Sequence, residues 1–90
     1  MSWKIEIDSA AERELDKLDP QIAKRILKFL HERIAPLEDP RSIGEPLKGS
    51  QLGEFWRYRV GDYRVIVRIE DYILLILVLR IWHRKNVYKG

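Results

Sequence analysis

Apolar and polar residues alternate from Trp3 to Ile7, with Trp3, Ile5 and Ile7 set against Lys4 and Glu6. A period of two predicts a strand. Asp8-Ser9 ends it and offers an N-cap, and Ser9 with Glu12 has the spacing of a capping box. The short helix that follows would bury Ala11, Leu15 and Leu18 on one stripe. Asp19-Pro20 restarts the chain, because aspartate suits an N-cap and proline the first helical position. Ile22, Ile26, Phe29, Leu30 and Ile34 then recur at helical spacing, so a second helix lays one face on a sheet and forms a helical hairpin with the first. Lys24, Arg25, Lys28, Glu32 and Arg33 fall mostly off that stripe and read as its solvated face, with RNA backbone contact as the lesser alternative. His31 reads as a surface residue of the same helix. From Pro36 to Pro46, three prolines and Gly44 predict a loop without regular structure.

The pattern changes at Phe55. Phe55-Trp56-Arg57-Tyr58-Arg59-Val60, Tyr63 to Ile69, and the apolar run Tyr72 to Leu79 are rich in β-branched and aromatic residues. Gly61-Asp62 and Glu70-Asp71 separate them, which predicts an antiparallel meander of three strands. Gly61 can supply the positive φ of a two-residue turn. That turn sets Val60 against Tyr63, Arg59 against Arg64, Tyr58 against Val65 and Arg57 against Ile66. Alternation then sends Arg57, Arg59, Arg64 and Arg68 to one face, and Trp56, Tyr58, Val60, Tyr63, Val65, Val67 and Ile69 to the other. After the meander the tail, Arg80 to Gly90, leaves no room for another packed helix.

The expectation is therefore one α+β domain over residues 1–90: an N-terminal strand, an antiparallel two-helix hairpin, then a three-stranded antiparallel meander. The helices pack on one face of the sheet, and the face with the arginines stays open.

Composition narrows the classes. The chain has no cysteine, which removes disulfides, thiolate nucleophiles and cysteine-ligated metals and fits a reducing cytoplasm. The amino terminus lacks the apolar core of a signal peptide, and Tyr72 to Leu79 is too short to span a bilayer as a helix, so a soluble, cytoplasmic protein without a membrane partner is expected. The net charge of +3 is uneven: residues 1–46 carry −2 and residues 47–90 carry +5. The positive field belongs to the sheet half, as in a domain that docks nucleic acid on one side.

Familiar catalytic sets are absent. No Gly-rich phosphate loop is present, and His31 and His83 are too few and too far apart for an evident metal site. What remains is a cluster of guanidinium groups on an open sheet face. Any one of them is explained by solvation, since arginine stems cover apolar surface well. Together they favour an anion, and phosphate matches the guanidinium fork. Arg59 opposite Arg64 destabilises the pair unless an anion neutralises it. Arginine can hold the charge that develops when a ribose 2′-OH attacks the adjacent phosphate, and an aromatic such as Tyr88 can stack on an unpaired base. That chemistry calls for no cofactor and no metal.

Trp56-Arg57-Tyr58-Arg59-Val60-Gly61-Asp62-Tyr63-Arg64-Val65-Ile66, followed by His83-Arg84-Lys85-Asn86-Val87-Tyr88, resembles the RelE/ParE superfamily of type II toxins. The likeness extends over nearly the whole chain, and the tail resembles the RelE branch. It implies an endoribonuclease, an mRNA interferase that cuts mRNA in the ribosomal A site and is silenced by a RelB-like antitoxin, with operator DNA reached only through that antitoxin. Carried over by motif, Arg57 and Arg59 take the two basic positions before the hairpin, and Arg64 the transition-state arginine. Arg84 takes the position that protonates the leaving 5′-oxygen, and Tyr88 the base-stacking position. Lys48, Arg68, His83 and Lys85 are expected to contact RNA. Well-known members of the superfamily carry lysine where Arg57 and Arg59 stand, and arginine does not accept a proton. The general base is thus open: the ribosome or a water, or Lys48 or His83. Two alternatives remain, a ParE-like inhibitor of DNA gyrase and a homologue that binds its antitoxin but no longer cuts.

Overall fold

The computed structural model describes residues 2–47 and 55–87, the last two by backbone alone. Five strands and three helices follow in the order β1 (Lys4–Ile7), α1 (Ser9–Asp16), α2 (Pro20–Phe29), β2 (Glu45–Pro46), β3 (Phe55–Val60), β4 (Tyr63–Glu70), β5 (Leu75–His83) and α3 (Arg84–Val87). The sheet order is β1-β5-β4-β3-β2; β1 runs parallel to β5 and the other pairings are antiparallel. Helices α1 and α2 cover one face. Ala11, Leu15, Ile26, Leu30 and Ile34 bury against Tyr58, Val60, Val65, Val67, Ile69, Ile76, Val78 and Ile81 in one core. No helix among the described residues is long and apolar enough to cross a membrane.

The β3–β4 hairpin has the expected register, Val60 opposite Tyr63 through Arg57 opposite Ile66, with Gly61 at φ 59°. Alternation then works as anticipated: Tyr58, Val65 and Val67 are fully buried on the helix side. Ile66 lies on the open face between Arg57 and Arg80 yet is only 4% exposed, which the long stems of its arginine neighbours explain.

Several local expectations need correction. The cap of α1 is Asp8, whose carboxylate accepts from the Ala10 N–H at 3.4 Å, and Ser9 is already helical. Asp8 keeps the extended backbone of the strand it ends, so the helix begins at Ser9, one residue earlier than a Ser9 cap requires. The second helix widens at its end: Leu30–Ile34 forms a π-turn, closed by Ala35 N–H to the Leu30 carbonyl at 2.9 Å, and the Ala35 carbonyl accepts from Trp3. Residues 36–46 are not without structure. Pro40–Ile43 forms a 3₁₀ turn capped by Asp39, and Glu45–Pro46 pairs with β3 as an edge strand, where a proline is tolerated. The Tyr58 hydroxyl reaches out of the core to donate to the Pro40 carbonyl at 2.5 Å, and a Cβ on Gly44 would stand 2.9 Å from the Tyr58 ring. The third meander strand starts at Leu75, since Asp71–Ile73 is a 3₁₀ turn ended by Leu74 in the left-handed region, which leaves Tyr72 fully exposed. Finally, the tail does form one more short helix, α3.

The feature that decides the site lies in β5. The register against β4 shifts between Ile66 and Val67: Val67 faces Val78 but Ile66 faces Arg80, so Leu79 is an extra residue on β5. Before the bulge, Ile76 and Val78 point to the core. After it Ile81 does, and Arg80 and Trp82 turn to the open face. β1 ends at Ile7, so among the described residues no strand pairs with this part of β5 on that side. Glu14 of α1 fills the gap, accepting the Ile81 N–H at 2.8 Å and bonds from Arg80 Nε and Nη2 at 3.2 and 2.9 Å.

Candidate nucleic-acid interface

At the Gly61 end of the open face, Arg59, Arg64, Arg84 and Lys85 line one depression of about 470 Å³. Two local devices bring them there. The hairpin register sets Arg59 opposite Arg64. The bulge turns the end of β5, and the Arg84 N–H then bonds the Asp62 carbonyl at 2.7 Å, which draws α3 against the hairpin tip.

The Arg59–Arg64 repulsion is relieved within the chain. Arg64 Nη1 donates to the carbonyls of Gly61 and Tyr63 at 3.1 and 3.0 Å. Arg59 Nε lies 3.0 Å from Glu45 Oε1, and Arg57 Nη2 donates to Glu45 Oε2 at 3.1 Å. The Arg57 bond holds the Glu45 carboxyl below the usual range, against the opposing effect of burial; the charges of Arg59, Arg57 and Arg64 add to the lowering. Arg57 is the more enclosed of the two, its side chain 20% exposed against 62% for Arg59, and its Nε has no hydrogen-bond partner among the described residues. Arg84 Nε stands 3.7 Å from Asp62, so it too has an acidic neighbour.

The structure gathers five of the expected site residues: Arg59, Arg64, Arg84 and Lys85 around the depression, and Arg57 beside them through Glu45. It does not bring two others there. Arg68 lies four residues along β4 from Arg64, roughly 13 Å away at strand spacing, and pairs with Glu70 at 2.6 Å. His83 faces Tyr63 across the ladder, on the helix side of the sheet; the two rings meet edge-on at 5.2 Å, and His83 Nδ1 accepts from the Lys85 N–H at 3.2 Å. The chain's alternation after the bulge turns His83 away from the arginines. Lys48 and Tyr88 lie outside the described residues.

Two residues of this face escaped the sequence reading. Glu45 sat in a stretch expected to be a structureless loop, and only its pairing with β3 places it between two arginines. Trp82 stands opposite Arg64 on the open face, half-buried, with the Arg80 guanidinium 4.9 Å over its ring. Its place follows from the bulge, which no residue type announces. The face thus holds a cluster of cations, with the Glu45 carboxylate between two of them, Asp62 beside Arg84 and the Trp82 ring opposite Arg64.

A five-stranded antiparallel-rich sheet under a helical hairpin, with a cationic depression at the hairpin tip, defines the chain as a RelE/ParE-type toxin. The chain belongs to this superfamily: the family described as the ParE toxin of the type II toxin–antitoxin system parDE matches residues 5–88. Among curated relatives, toxin RelG of Mycobacterium tuberculosis strain H37Rv is 30% identical over 89 residues, 99% of each chain. Toxin RelE of the same strain is 29% identical over 87 residues, 97% of this chain and 87% of that one. Among solved structures, the toxin–antitoxin complex RelBE2 from M. tuberculosis aligns with a TM-score of 0.81 at 28% identity, covering 93% of both chains. The E. coli RelBE complex shares the fold, with a TM-score of 0.73 at 20% identity over 91% of this chain and 96% of that one.

Proposed function

We propose that this toxin is an mRNA interferase, acting on mRNA in the ribosomal A site. The observation that carries this reading is the convergence of Arg59, Arg64, Arg84 and Lys85 on one depression. In the proposed reaction the ribose 2′-oxygen attacks the adjacent phosphorus, the P–O5′ bond breaks, and a 2′,3′-cyclic phosphate and a free 5′-hydroxyl result. Arg59 and Arg64, on neighbouring strands, hold the phosphate oxygens as negative charge grows on them. Arg84 takes the motif's position beside the leaving 5′-oxygen, which picks up a proton from solvent as the bond breaks and so balances the one removed from the 2′-OH. Glu45 takes the 2′-OH proton. It is the carboxylate nearest the arginines, held between Arg57 and Arg59, whose charges favour its ionised form while lessening its basicity. Arg57 then positions Glu45 rather than accepting a proton itself. Tyr88 keeps the base-stacking role the motif implies, and Trp82 offers a second ring beside Arg64.

A RelB-like antitoxin is the proposed partner, supported by relatives solved as toxin–antitoxin complexes. An acidic segment laid over the depression would exchange for Glu45 and Asp62. The test is expression of Arg64→Ala and Arg84→Ala with mapping of mRNA cuts on stalled ribosomes. Loss of either arginine should reduce cutting by roughly 10²–10³-fold, the scale for one transition-state donor. Normal cutting by both variants would refute the assignment.

The ParE name of the matched family favours a second reading, inhibition of DNA gyrase by binding without RNA cleavage. Accumulation of gyrase-cleaved DNA with translation intact would establish it in place of the first.

A further inference from the structure

Most arginines of the open face have a carboxylate partner: Arg57 and Arg59 share Glu45, Arg68 meets Glu70, Arg80 meets Glu14 and Arg84 neighbours Asp62, while Arg64 is held by two backbone carbonyls. Around the corner, on α2 and the turn that follows it, the cations have no such partners. Arg25, Lys28 and Arg33 form no ion pair with any described residue. They surround a notch of about 400 Å³ between α2 and the β3–β4 turn, which Phe29, Glu32, Arg59, Val60 and Gly61 also line. Arg33 lies 6.0 Å from the centre of the Phe29 ring. The Arg25 guanidinium rests over Gly61, where a Cβ would be 3.2 Å from its Nη1. Four cations against the single Glu32, over a floor of Phe29 and Val60, is a setting for a polyanion that also carries flat apolar groups.

Arg59 lines both this notch and the depression. A chain bound in one therefore continues past Arg59 and the side-chain-free Gly61 into the other. We propose that the notch is a second phosphodiester-binding site, which holds the backbone of a single-stranded RNA next to the bond presented to the depression. This rests on the RNA reading above. An RNA strand fits better than an acidic peptide because the two sites share Arg59, and a backbone charged at every residue can engage both at once over the apolar floor of the notch. Arg25, Lys28 and Arg33 engage RNA without breaking an ion pair to any described residue, whereas at the depression Arg59 and Arg84 already have carboxylate neighbours. The notch is thus the anchor and the depression the reaction site.

The test measures binding, not cutting. The full chain is titrated into labelled 2′-O-methyl RNA, which lacks the attacking hydroxyl, as a three-nucleotide and a ten-nucleotide strand across a range of salt. A second arm uses ribosomes programmed with mRNA. The variants are Arg25→Ala/Lys28→Ala and, separately, Arg33→Gln, with Lys4→Ala on the distant β1 edge as the charge control. The double variant should weaken ten-nucleotide binding about tenfold and lower the slope of log Kd against log salt by roughly 1.4, the value for two lost single-strand phosphate contacts. The three-nucleotide strand and Lys4→Ala should show neither change. A loss confined to the ribosome arm would assign the anchored phosphates to another RNA rather than to the substrate strand. Unchanged affinity in both arms, or no binding by the wild type in either, overturns the proposal. So do an equal loss with Lys4→Ala and variants that bind RNA normally but fail to hold an antitoxin. A wild type that binds RNA yet never cuts it would instead refute the cleavage reading and leave the notch standing.

Discussion

Glu14→Ala removes the carboxylate that stands in for a missing strand beside the β5 bulge. The Ile81 N–H loses its only acceptor among the described residues, at 2.8 Å, and a partly buried unpaired amide costs about 1–2 kcal/mol. The Arg80 ion pair is half-exposed on the arginine side and adds roughly 0.5 kcal/mol. Alanine gains a few tenths in helix propensity, which offsets part of this. The expected loss is about 2 kcal/mol, or roughly 8–16 °C in Tm for a domain of this size. Glu14→Gln keeps an acceptor for Ile81 and loses only the charge, so it should cost about 0.5 kcal/mol. Urea melts of the three proteins, with hydrogen exchange followed at the Ile81 amide, separate the two contributions. Coincident Ala and Gln melts, or an Ile81 amide equally protected in both, would refute the claim that this carboxylate acts as a strand edge.

Other outcomes follow from the same packing. Tyr58→Phe orphans the Pro40 carbonyl inside the loop fold and should cost about 1–2 kcal/mol in a urea melt. Gly61→Ala places a side chain at φ 59° against Arg25, so about 1–2 kcal/mol should be lost, and stability unchanged from the wild type would show that the turn relaxes freely. Glu45 and Asp71 both have lowered pKa values, through Arg57 and Arg41 respectively. A carboxyl lowered in the folded state contributes stability above its unfolded pKa and loses it as pH falls through the folded one. The stability gap between wild type and Glu45→Gln should therefore be full above the ordinary carboxylate range and close on acidification. A gap independent of pH would mean the ion pairs contribute nothing.

Where one periodicity ran through a segment, its place could be read from the residues. The β3–β4 hairpin needed only alternation and a Gly61-Asp62 turn, and α2 only its apolar stripe and the Asp19-Pro20 start. What failed depended on distant contacts. Glu45–Pro46 becomes a strand because β3 offers an edge, and residues 40–44 are ordered by the Tyr58 hydroxyl and ring from the other side of the core. The same holds for the site. Arg57, Arg59 and Arg64 share a face by strand geometry alone, while the places of Arg84, His83 and Trp82 depend on one unpaired residue in β5 that looks like its neighbours in the sequence.

That surplus leucine keeps two halves of the last strand in phase with β4. Drawn into regular pairing, the same nine residues would expose Ile81 to solvent and send Arg80 and Trp82 beneath the helices. A lineage that lost the Leu79 codon alone would keep every later side chain on its present face, in a plain alternating strand without the kink.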